Sequence, residues 1–204
     1  MDGRKPVVYC SGALFCPAEV RDMERIARAL EEAGFETFLP HRDGLEAFIM
    51  KPVNRTLTGL FMLTPAARWV NRAAFALDIY QVVERCGCFV VNMNGRVPDE
   101  GAVVETAAAL GTGKPVVMYA SDPEGWTRDP VLIGASSTFT VVDAVGRIPE
   151  AVERAAAGAP GRGAAPPSTD ELPPRVKAAV RLGGAVWRSR WLYRFAKPRN
   201  ELAS

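Results

Sequence analysis

Residues 88–93 read Cys-Phe-Val-Val-Asn-Met, and this stretch decides the fold class. It is nearly all apolar and does not alternate between apolar and polar residues, as a strand with one solvent-exposed face would. The stretch therefore predicts a strand buried on both faces. Such strands occur in parallel sheets that helices cover on both sides. A polar loop follows, and a helix made almost entirely of small residues is predicted from about Asp99 to Gly111.

Short apolar runs and helical patterns alternate along the rest of the chain, as in a parallel α/β sheet. The four further predicted strands span residues 6–9, 35–39, 115–119 and 138–142, and the first is expected to break at Ser11-Gly12. Helices are predicted over residues 17–33, 64–85 and 149–157. Gly34 stands where the first helix should end, and Thr64-Pro65 is typical of a helix start. The pattern predicts a five-stranded α/β domain.

We assign residues 1–157 to this domain, residues 158–170 to a flexible Gly/Ala/Pro-rich linker, and residues 171–204 to a basic amphipathic tail. An apolar insertion over residues 45–72 follows the second strand and shows no clean period. It forms a lid over a site, a subunit contact or additional core, and the pattern leaves all three open. For the tail we favour a helix docked on the protein over attachment to an anionic membrane surface, because Gly183-Gly184 weakens a continuous membrane-binding face.

The amino-acid composition argues against several classes of protein function. The 204 residues carry a net charge of +2 and are 48% hydrophobic, which is typical of a globular protein. We expect neither a signal peptide nor a membrane span. We therefore expect the protein to be cytoplasmic. Cys86-Gly87-Cys88 is too tightly spaced for a zinc ligand pair and His41 is the only histidine, so no metal site is predicted. The core is not basic, and a nucleic-acid partner is not expected.

Ligands of open α/β sheets bind beyond the carboxyl ends of the strands. Three predicted strands are followed at this edge by segments of small or polar residues. These segments span residues 9–12, 40–44 and 92–101. In the third of these segments Asp99 is expected to cap the following helix, and Gly101 would let a substrate approach closely. Glu105 lies about one turn into that helix among small residues. A buried carboxylate costs free energy unless it is used or paired, so Glu105 is either a functional acid or a residue that faces solvent or pairs with Lys114.

Four segments in this order resemble the nucleoside 2-deoxyribosyltransferase family. They are Val8-Tyr9-Cys10-Ser11-Gly12-Ala13-Leu14-Phe15, Phe38-Leu39-Pro40-His41-Arg42-Asp43-Gly44, Asn94-Gly95 through Asp99-Glu100-Gly101 to Glu105, and Gly113-Lys114-Pro115. The resemblance implies a flavodoxin-like, doubly wound sheet. It also implies retaining transfer of 2-deoxyribose between bases, with Glu105 as the nucleophile that carries the sugar as an ester.

The resemblance further implies roles for other residues. Tyr9 would orient Glu105, and Asp78 and Asp99 would bind the nucleoside, one of them handling the proton of the base; the sequence leaves open which one. Leu14, Phe15 and the loop 41–43 would line the base pocket. The residues expected to contact the substrate are Ser11, Gly12, Leu14, Phe15, His41, Arg42, Asp43, Asn94 and Gly101. The reaction needs no cofactor, and the family resemblance suggests a homodimer or larger oligomer.

Two alternatives stay open at this point. A nucleoside 5′-monophosphate N-glycosidase would hold a phosphate with Ser11 and nearby backbone N–H groups. A non-catalytic nucleotide-binding module would use the same pocket without releasing a base. In each case the expected partner is a nucleoside, a nucleotide or a free base.

Overall fold

The computed structural model describes residues 5–50, 63–95, 99–122, 130–158 and 168–196. Five parallel strands form one sheet in the order β2-β1-β3-β4-β5. Their bounds are β1 Val7–Gly12, β2 Glu36–Phe38, β3 Cys88–Asn92, β4 Val116–Tyr119 and β5 Val141–Val142. This strand order is that of flavodoxin-like folds, which confirms the predicted fold class.

Helices connect the strands and cover both faces of the sheet. Their bounds are α1 Pro17–Glu32, α2 Pro40–Asp43, α3 Ala66–Tyr80, α4 Glu100–Gly111, α5 Pro130–Ile133, α6 Ile148–Gly158, α7 Pro174–Arg188 and α8 Arg190–Ala196. Short 3₁₀ turns lie at Glu46–Phe48, Val145–Arg147 and Thr169–Glu171, and a π-helical turn, Gln81–Arg85, continues α3.

Two hydrophobic cores lie on opposite faces of the sheet. On one face α1 and α6 pack on alternate residues of the strands, such as Val8 and Cys10 of β1. On the other face α3 and α4 pack on the intervening residues, including Tyr9 and Phe89. Because successive side chains of a strand point to opposite faces, Tyr9 and Ser11 of β1 point toward α3 and α4. The second face is therefore the one that carries the candidate site.

The structure corrects several predicted boundaries. β1 does not break at Ser11-Gly12, because both residues pair with β3, opposite Val91 and Asn92. The last strand is shorter than predicted, since Phe139 has a positive φ of 53° and only Val141–Val142 pair with β4. Pro65 rather than Thr64 occupies the N-cap position of α3. Gly34 follows the end of α1 with a φ of 87°, the left-handed conformation that favours glycine.

Helix α7 lies against α3 at close range. A methyl group built on Gly183 would stand 1.9 Å from the carbonyl oxygen of Ala76 and 2.5 Å from Cβ of Tyr80. Gly183-Gly184, interpreted from the sequence as a weakness of the helix, therefore lies where α7 approaches α3 most closely. The docked helix favoured for this segment is what the structure has, and the membrane contact stays a prediction.

The cysteines are free thiols. Cys10, Cys86 and Cys88 are buried and Cys16 is half-buried. Burial raises the pKa of the Cys86 thiol to about 12 and that of the Cys88 thiol to about 11. These thiols pack as small apolar groups.

Within the described ranges no helix is both long and apolar enough to cross a membrane. Most of the predicted linker and residues 51–62 of the predicted insertion lie outside the described residues. The assignment of these segments stays a prediction, as does the cytoplasmic location.

Candidate active site

Glu105 is held by two hydroxyl groups at the carboxyl end of β1. The Tyr9 hydroxyl donates to Oε1 at 2.8 Å, and the Ser11 hydroxyl donates to Oε2 at 2.5 Å. Glu105 lies on α4, beside the stripe of Ala102, Thr106 and Ala109 that packs on the sheet. Small side chains in that stripe bring the helix close to β1, so the half-buried carboxylate reaches both hydroxyls.

Tyr9 is fixed by its neighbours across the sheet. It pairs with Phe38 of β2 and Phe89 of β3 in register, and its ring stacks on both at centroid distances of 5.4 Å. The edge of Trp187 from α7 packs against Phe38 at 6.0 Å. A phenol clamped between two rings loses few conformations when its hydroxyl bonds a carboxylate. The aromatic row therefore presents the Tyr9 hydroxyl at a fixed position.

A cavity of about 540 Å³ opens beside Glu105. Its described lining comes from the 3₁₀ turn after α2, from α3 and from α4, and consists of Glu46, Ile49, Asn71, Ala74, Phe75, Asp78, Ile79, Glu100, Gly101, Val104 and Glu105. Four of these residues are acids, and the rest are mostly apolar. A concave, largely apolar space with a few convergent polar groups is the usual form of a small-molecule site.

Asp78 and Glu46 are the most deeply buried acids in this cavity. Each residue is 8% exposed, and Oδ1 of Asp78 has no hydrogen-bond donor among the described residues. Burial raises the pKa of Asp78 well above its usual value. The nearby charges of Glu46 and Glu105 and a hydrogen bond with Glu46 raise it further, against a smaller opposing effect of the Tyr9 hydroxyl. A carboxyl group in these surroundings keeps its proton to higher pH and can donate it.

The pKa of Glu105 is raised to about 7. Burial is the largest cause, and the charges of Glu46 and Asp99 add to it, while the hydrogen bonds from Ser11 and Tyr9 lower it. Glu105 is therefore about half ionised near pH 7 and becomes fully ionised as the pH rises further. Two acids in one cavity whose pKa values are both raised are typical of a functional site. In the described part of the chain no group of three His, Cys, Asp or Glu side chains is arranged to hold a metal ion.

A second cavity of about 400 Å³ lies between α3 and α7. It shares Phe75 and Ile79 with the first, and its other described lining residues are Arg72, Ala76, Arg175, Val176, Ala178, Ala179 and Leu182. It contains no acid among these residues. The cluster of acids therefore lines the first cavity and not this one.

Comparison with known protein families identifies the family to which the chain belongs. A family model described as nucleoside 2-deoxyribosyltransferase matches residues 8–137, well over half of the 204 residues. The chain belongs to the nucleoside 2-deoxyribosyltransferase family. A comparison with curated proteins finds no significant match. The resemblance predicted from the sequence is confirmed, and the matched region includes every element that contributes to the cavity.

The structure brings together part of the site predicted for a nucleoside 2-deoxyribosyltransferase. Tyr9, Ser11 and Asp78 surround Glu105, and Gly101 lies in the cavity wall. Asp99 is the N-cap of α4, where its carboxylate accepts a hydrogen bond from the Gly101 N–H at 3.2 Å. Its capping role was predicted from the sequence and is confirmed.

The predicted base-binding loop lies toward α1. His41 is 2% exposed, with Nε2 3.7 Å from a carboxylate oxygen of Glu24. Arg42 donates to Glu31 at 2.8 Å, and the Asp43 carboxylate accepts from the Leu39 N–H at 2.9 Å. None of the three belongs to the described lining of the cavity, and their contact with a base stays a prediction.

The remaining predicted contacts also lie outside that described lining. Leu14 packs in the core beneath α1, whereas Phe15 is 61% exposed. A side chain on Gly12 would meet Sδ of Met23 at 2.7 Å, so glycine lets β1 and α1 approach. Asn94 joins two loops, because its side-chain oxygen accepts from the N–H and the hydroxyl of Ser121. Their substrate contacts stay predictions.

Glu46 is a buried acid of the cavity that the sequence patterns did not predict. It lies within the apolar stretch that follows β2, where no helical or strand period marks which side chains face inward. Gly44 makes room for it, since a methyl group there would stand 2.5 Å from Oε2 of Glu46. The available signal was an acid between Leu45 and Ala47, because a carboxylate among apolar residues is costly unless it is used.

Proposed function

We propose that this protein transfers 2-deoxyribose between nucleobases through a covalent ester on Glu105. The observation that carries the proposal is the hydrogen-bonded Glu105 carboxylate, which shares one cavity with the buried Asp78 carboxyl group. Family membership supports the general class of reaction, and the hydrogen bonds of Glu105 and the burial of Asp78 support their roles as nucleophile and acid.

The first half-reaction forms the ester. An oxygen of Glu105 attacks C1′ of the bound deoxynucleoside, the bond from C1′ to the base nitrogen breaks, and its electron pair leaves with the base. Asp78 gives its proton to the departing base, which leaves neutral. Splitting the transfer into two displacements replaces one difficult step with two easier ones and retains configuration at C1′.

The second half-reaction returns the enzyme to its starting state. A nitrogen of the acceptor base attacks C1′, the bond from C1′ to the Glu105 oxygen breaks, and the electron pair returns to the carboxylate. The acceptor loses a proton, which Asp78 takes back. If water attacks in place of a base, the product is free 2-deoxyribose and the protein acts as a hydrolase.

Asp78 suits the acid role better than Asp99. Asp78 is buried in the cavity wall, and burial raises its pKa well above the usual value, which favours the protonated form that can donate. The Asp99 carboxylate is committed to the backbone of α4. We therefore assign proton transfer to Asp78, and helix capping with an influence on the charge of Glu105 to Asp99.

The nucleotide alternative has less support. The Ser11 hydroxyl, which would hold a phosphate, donates to Glu105. At the start of α1 the N–H groups of Phe15 and Cys16 donate to the Glu19 carboxylate at 2.7 and 3.0 Å, so these two donors are already used. Nucleosides are therefore the proposed substrates.

The test is incubation with deoxyinosine and adenine, with the products separated by chromatography. We expect deoxyadenosine and hypoxanthine, with deoxyadenosine formed only when adenine is present. Release of hypoxanthine without new nucleoside would identify a hydrolase. Base release from a deoxynucleoside 5′-monophosphate but not from deoxyinosine would support the N-glycosidase instead.

Glu105→Gln separates catalysis from binding. The amide keeps the size of the side chain but is a very poor nucleophile, so base release should fall by about 10⁴-fold or more while nucleoside binding persists. Glu150→Gln, which changes an exposed acid of α6 on the opposite face of the sheet, is the matched control and should keep the activity. Mass spectrometry after incubation with a 2-fluorinated nucleoside should find the sugar on Glu105. If the wild-type protein binds nucleosides but releases no base, the protein is a binding module and the proposed reaction is wrong.

A further inference from the structure

The Glu105 carboxylate has a hydroxyl donor on each oxygen, and one of them is a serine. Ser11 is 1% exposed, and its hydroxyl lies 2.5 Å from Oε2, while the Tyr9 hydroxyl lies 2.8 Å from Oε1. Both residues belong to β1, a central strand paired with β2 and β3. Ser11 itself lies opposite Val91 in the sheet. The two donors are therefore held by a strand that is paired on both of its edges.

Among the residues that the structure describes, the other ionisable groups around Glu105 are acids. Glu46 faces it from the 3₁₀ turn after α2, Asp78 from α3, and Asp99 and Glu100 from the start of α4. Tyr9, from β1, is the remaining titratable neighbour. The described lining of the cavity contains no lysine or arginine. Among the described groups, stabilisation of the Glu105 charge therefore comes chiefly from the two hydroxyls, because hydrogen bonds to the charged form favour ionisation.

We propose that Ser11 is a positioning residue that keeps Glu105 ionised and oriented for attack on the anomeric carbon. This inference rests on the proposed function, and it assigns to Ser11 a role different from the substrate contact expected from the sequence. A carboxylate held on both oxygens cannot rotate about its terminal bond, so each oxygen keeps one orientation toward the cavity.

The same hydrogen bond acts in both half-reactions. Before attack it stabilises the ionised form of Glu105 against the acids around it. When the ester forms, negative charge leaves Oε1 and Oε2 and the hydrogen bond weakens. When the acceptor base displaces the sugar, charge returns to the carboxylate and the hydrogen bond strengthens again, which stabilises the leaving carboxylate. Loss of Ser11 should therefore slow release of the sugar from the ester.

The first test measures the Glu105 carboxyl group without any substrate. The protein is labelled with ¹³C at the glutamate carboxyl carbon, and the resonance that Glu105→Gln removes is assigned to Glu105. Its pKa is then followed by NMR in the wild type, Ser11→Ala and Ser11→Thr. We expect Ser11→Ala to raise the pKa by about one to two units, the value of a hydrogen bond to a charged group. Ser11→Thr, which keeps the hydroxyl, should stay near the wild type.

The second test measures catalysis. Because the ionised form attacks, kcat/KM rises with pH through the pKa of Glu105, and Ser11→Ala should move this acid limb upward by the same one to two units. At a pH above both pKa values, kcat should fall more than KM changes, and a larger fraction of the protein should carry the sugar ester at steady state. Ser11→Thr should restore the position of the acid limb.

The outcomes separate this inference from the proposed function. A wild type that releases no base overturns the transfer reaction, while the NMR measurement still reports whether Ser11 holds the charge of Glu105. An active wild type whose Ser11→Ala variant folds with an unchanged Glu105 pKa and an unchanged acid limb overturns the role of Ser11 alone. A Ser11→Ala variant with the shifted pKa and the shifted acid limb supports it.

Discussion

The hydroxyl of Tyr9 lies 2.8 Å from Oε1 of Glu105, and the ring that carries it is stacked between Phe38 and Phe89. The two residues are far apart in the sequence and meet because α4 packs on the face of β1 that Tyr9 occupies. The bond lowers the pKa of Glu105, and the charge of Glu105 contributes to the raised pKa of Tyr9, of which burial is the largest cause. Tyr9 therefore remains a neutral donor.

Tyr9→Phe removes this donor and keeps the aromatic row. We expect the pKa of Glu105 to rise above about 7, so that activity at neutral pH falls while activity at higher pH is partly recovered. The thermal midpoint should change little, because the ring still stacks. Steady-state rates between pH 6 and 9, with thermal unfolding as the control, check this. A loss of activity equal at every pH would contradict the electrostatic part of the role.

Glu46→Gln should move the pH dependence of the reaction to lower pH. The charge of Glu46 raises the pKa of both Asp78 and Glu105. In the proposed mechanism activity requires ionised Glu105 and protonated Asp78, so the rate increases as Glu105 loses its proton and decreases as Asp78 loses its own. Removing the charge of Glu46 lowers both pKa values. The pH profile of kcat/KM measures the two limbs. Glu150→Gln, which changes an exposed acid of α6 on the opposite face of the sheet, is the control. If the Glu46→Gln variant has both limbs at the wild-type pH values, the charge of Glu46 does not influence the site.

Local patterns in the sequence were enough to predict much of the fold. The apolar run of β3, the periodicity of α1 and the cap at Asp99 depend on neighbours within a few residues, and each is present in the structure. The ends of the strands depend on pairing with distant strands, which local patterns do not show. For example, β1 continues through Ser11-Gly12 because β3 pairs with it.

The site was harder to predict, because its residues come from distant segments. The bond from Ser11 to Glu105 joins positions 94 residues apart, so no spacing in the sequence indicates it. Glu46 lies in a stretch without a period, and its orientation depends on how α2 and the turn after it pack. Asp78 was found only through the resemblance to a family, since its helix is apolar on several sides.

Asp78→Asn should stabilise the fold while it removes activity. The folded pKa of Asp78 lies above the unfolded value of 3.8, so the unfolded state loses the proton first and this carboxyl group makes the protein less stable as pH rises from about 4 toward its folded pKa. The amide in the Asp78→Asn variant does not ionise, so its burial does not reduce stability as the pH rises. The gain over the wild type should therefore grow with pH, and each kcal/mol raises the midpoint by about 2–4 °C at this size.

Thermal unfolding at several values between pH 5 and 8 measures this difference. Asp143→Asn is the matched control, because Asp143 forms an exposed i,i+4 pair with Arg147 and should change stability by no more than about 0.5 kcal/mol. A gain from Asp78→Asn that is the same at every pH would show that packing, not ionisation, causes it. Base release should be lost in Asp78→Asn and kept in Asp143→Asn.

The contact between α7 and α3 gives a prediction about stability that is independent of the reaction. A methyl group on Gly183 would stand 1.9 Å from the backbone oxygen of Ala76, which side-chain rotation cannot relieve. One on Gly184 would meet a ring carbon of Tyr80 at 3.2 Å, which a small ring movement accommodates. Gly183→Ala should therefore destabilise the fold by about 1–3 kcal/mol or displace α7.

Gly184→Ala should be neutral or stabilising, because alanine favours a helix over glycine by roughly 0.5–1 kcal/mol. The measurement is the difference in midpoint between the two variants, together with the fluorescence of Trp187, whose ring packs against Phe38 and between Arg85 and Arg190. Displacement of α7 in Gly183→Ala should expose this ring and shift its emission to longer wavelength. If α7 did not rest on α3, both substitutions would only strengthen the helix, and both midpoints would stay level or rise.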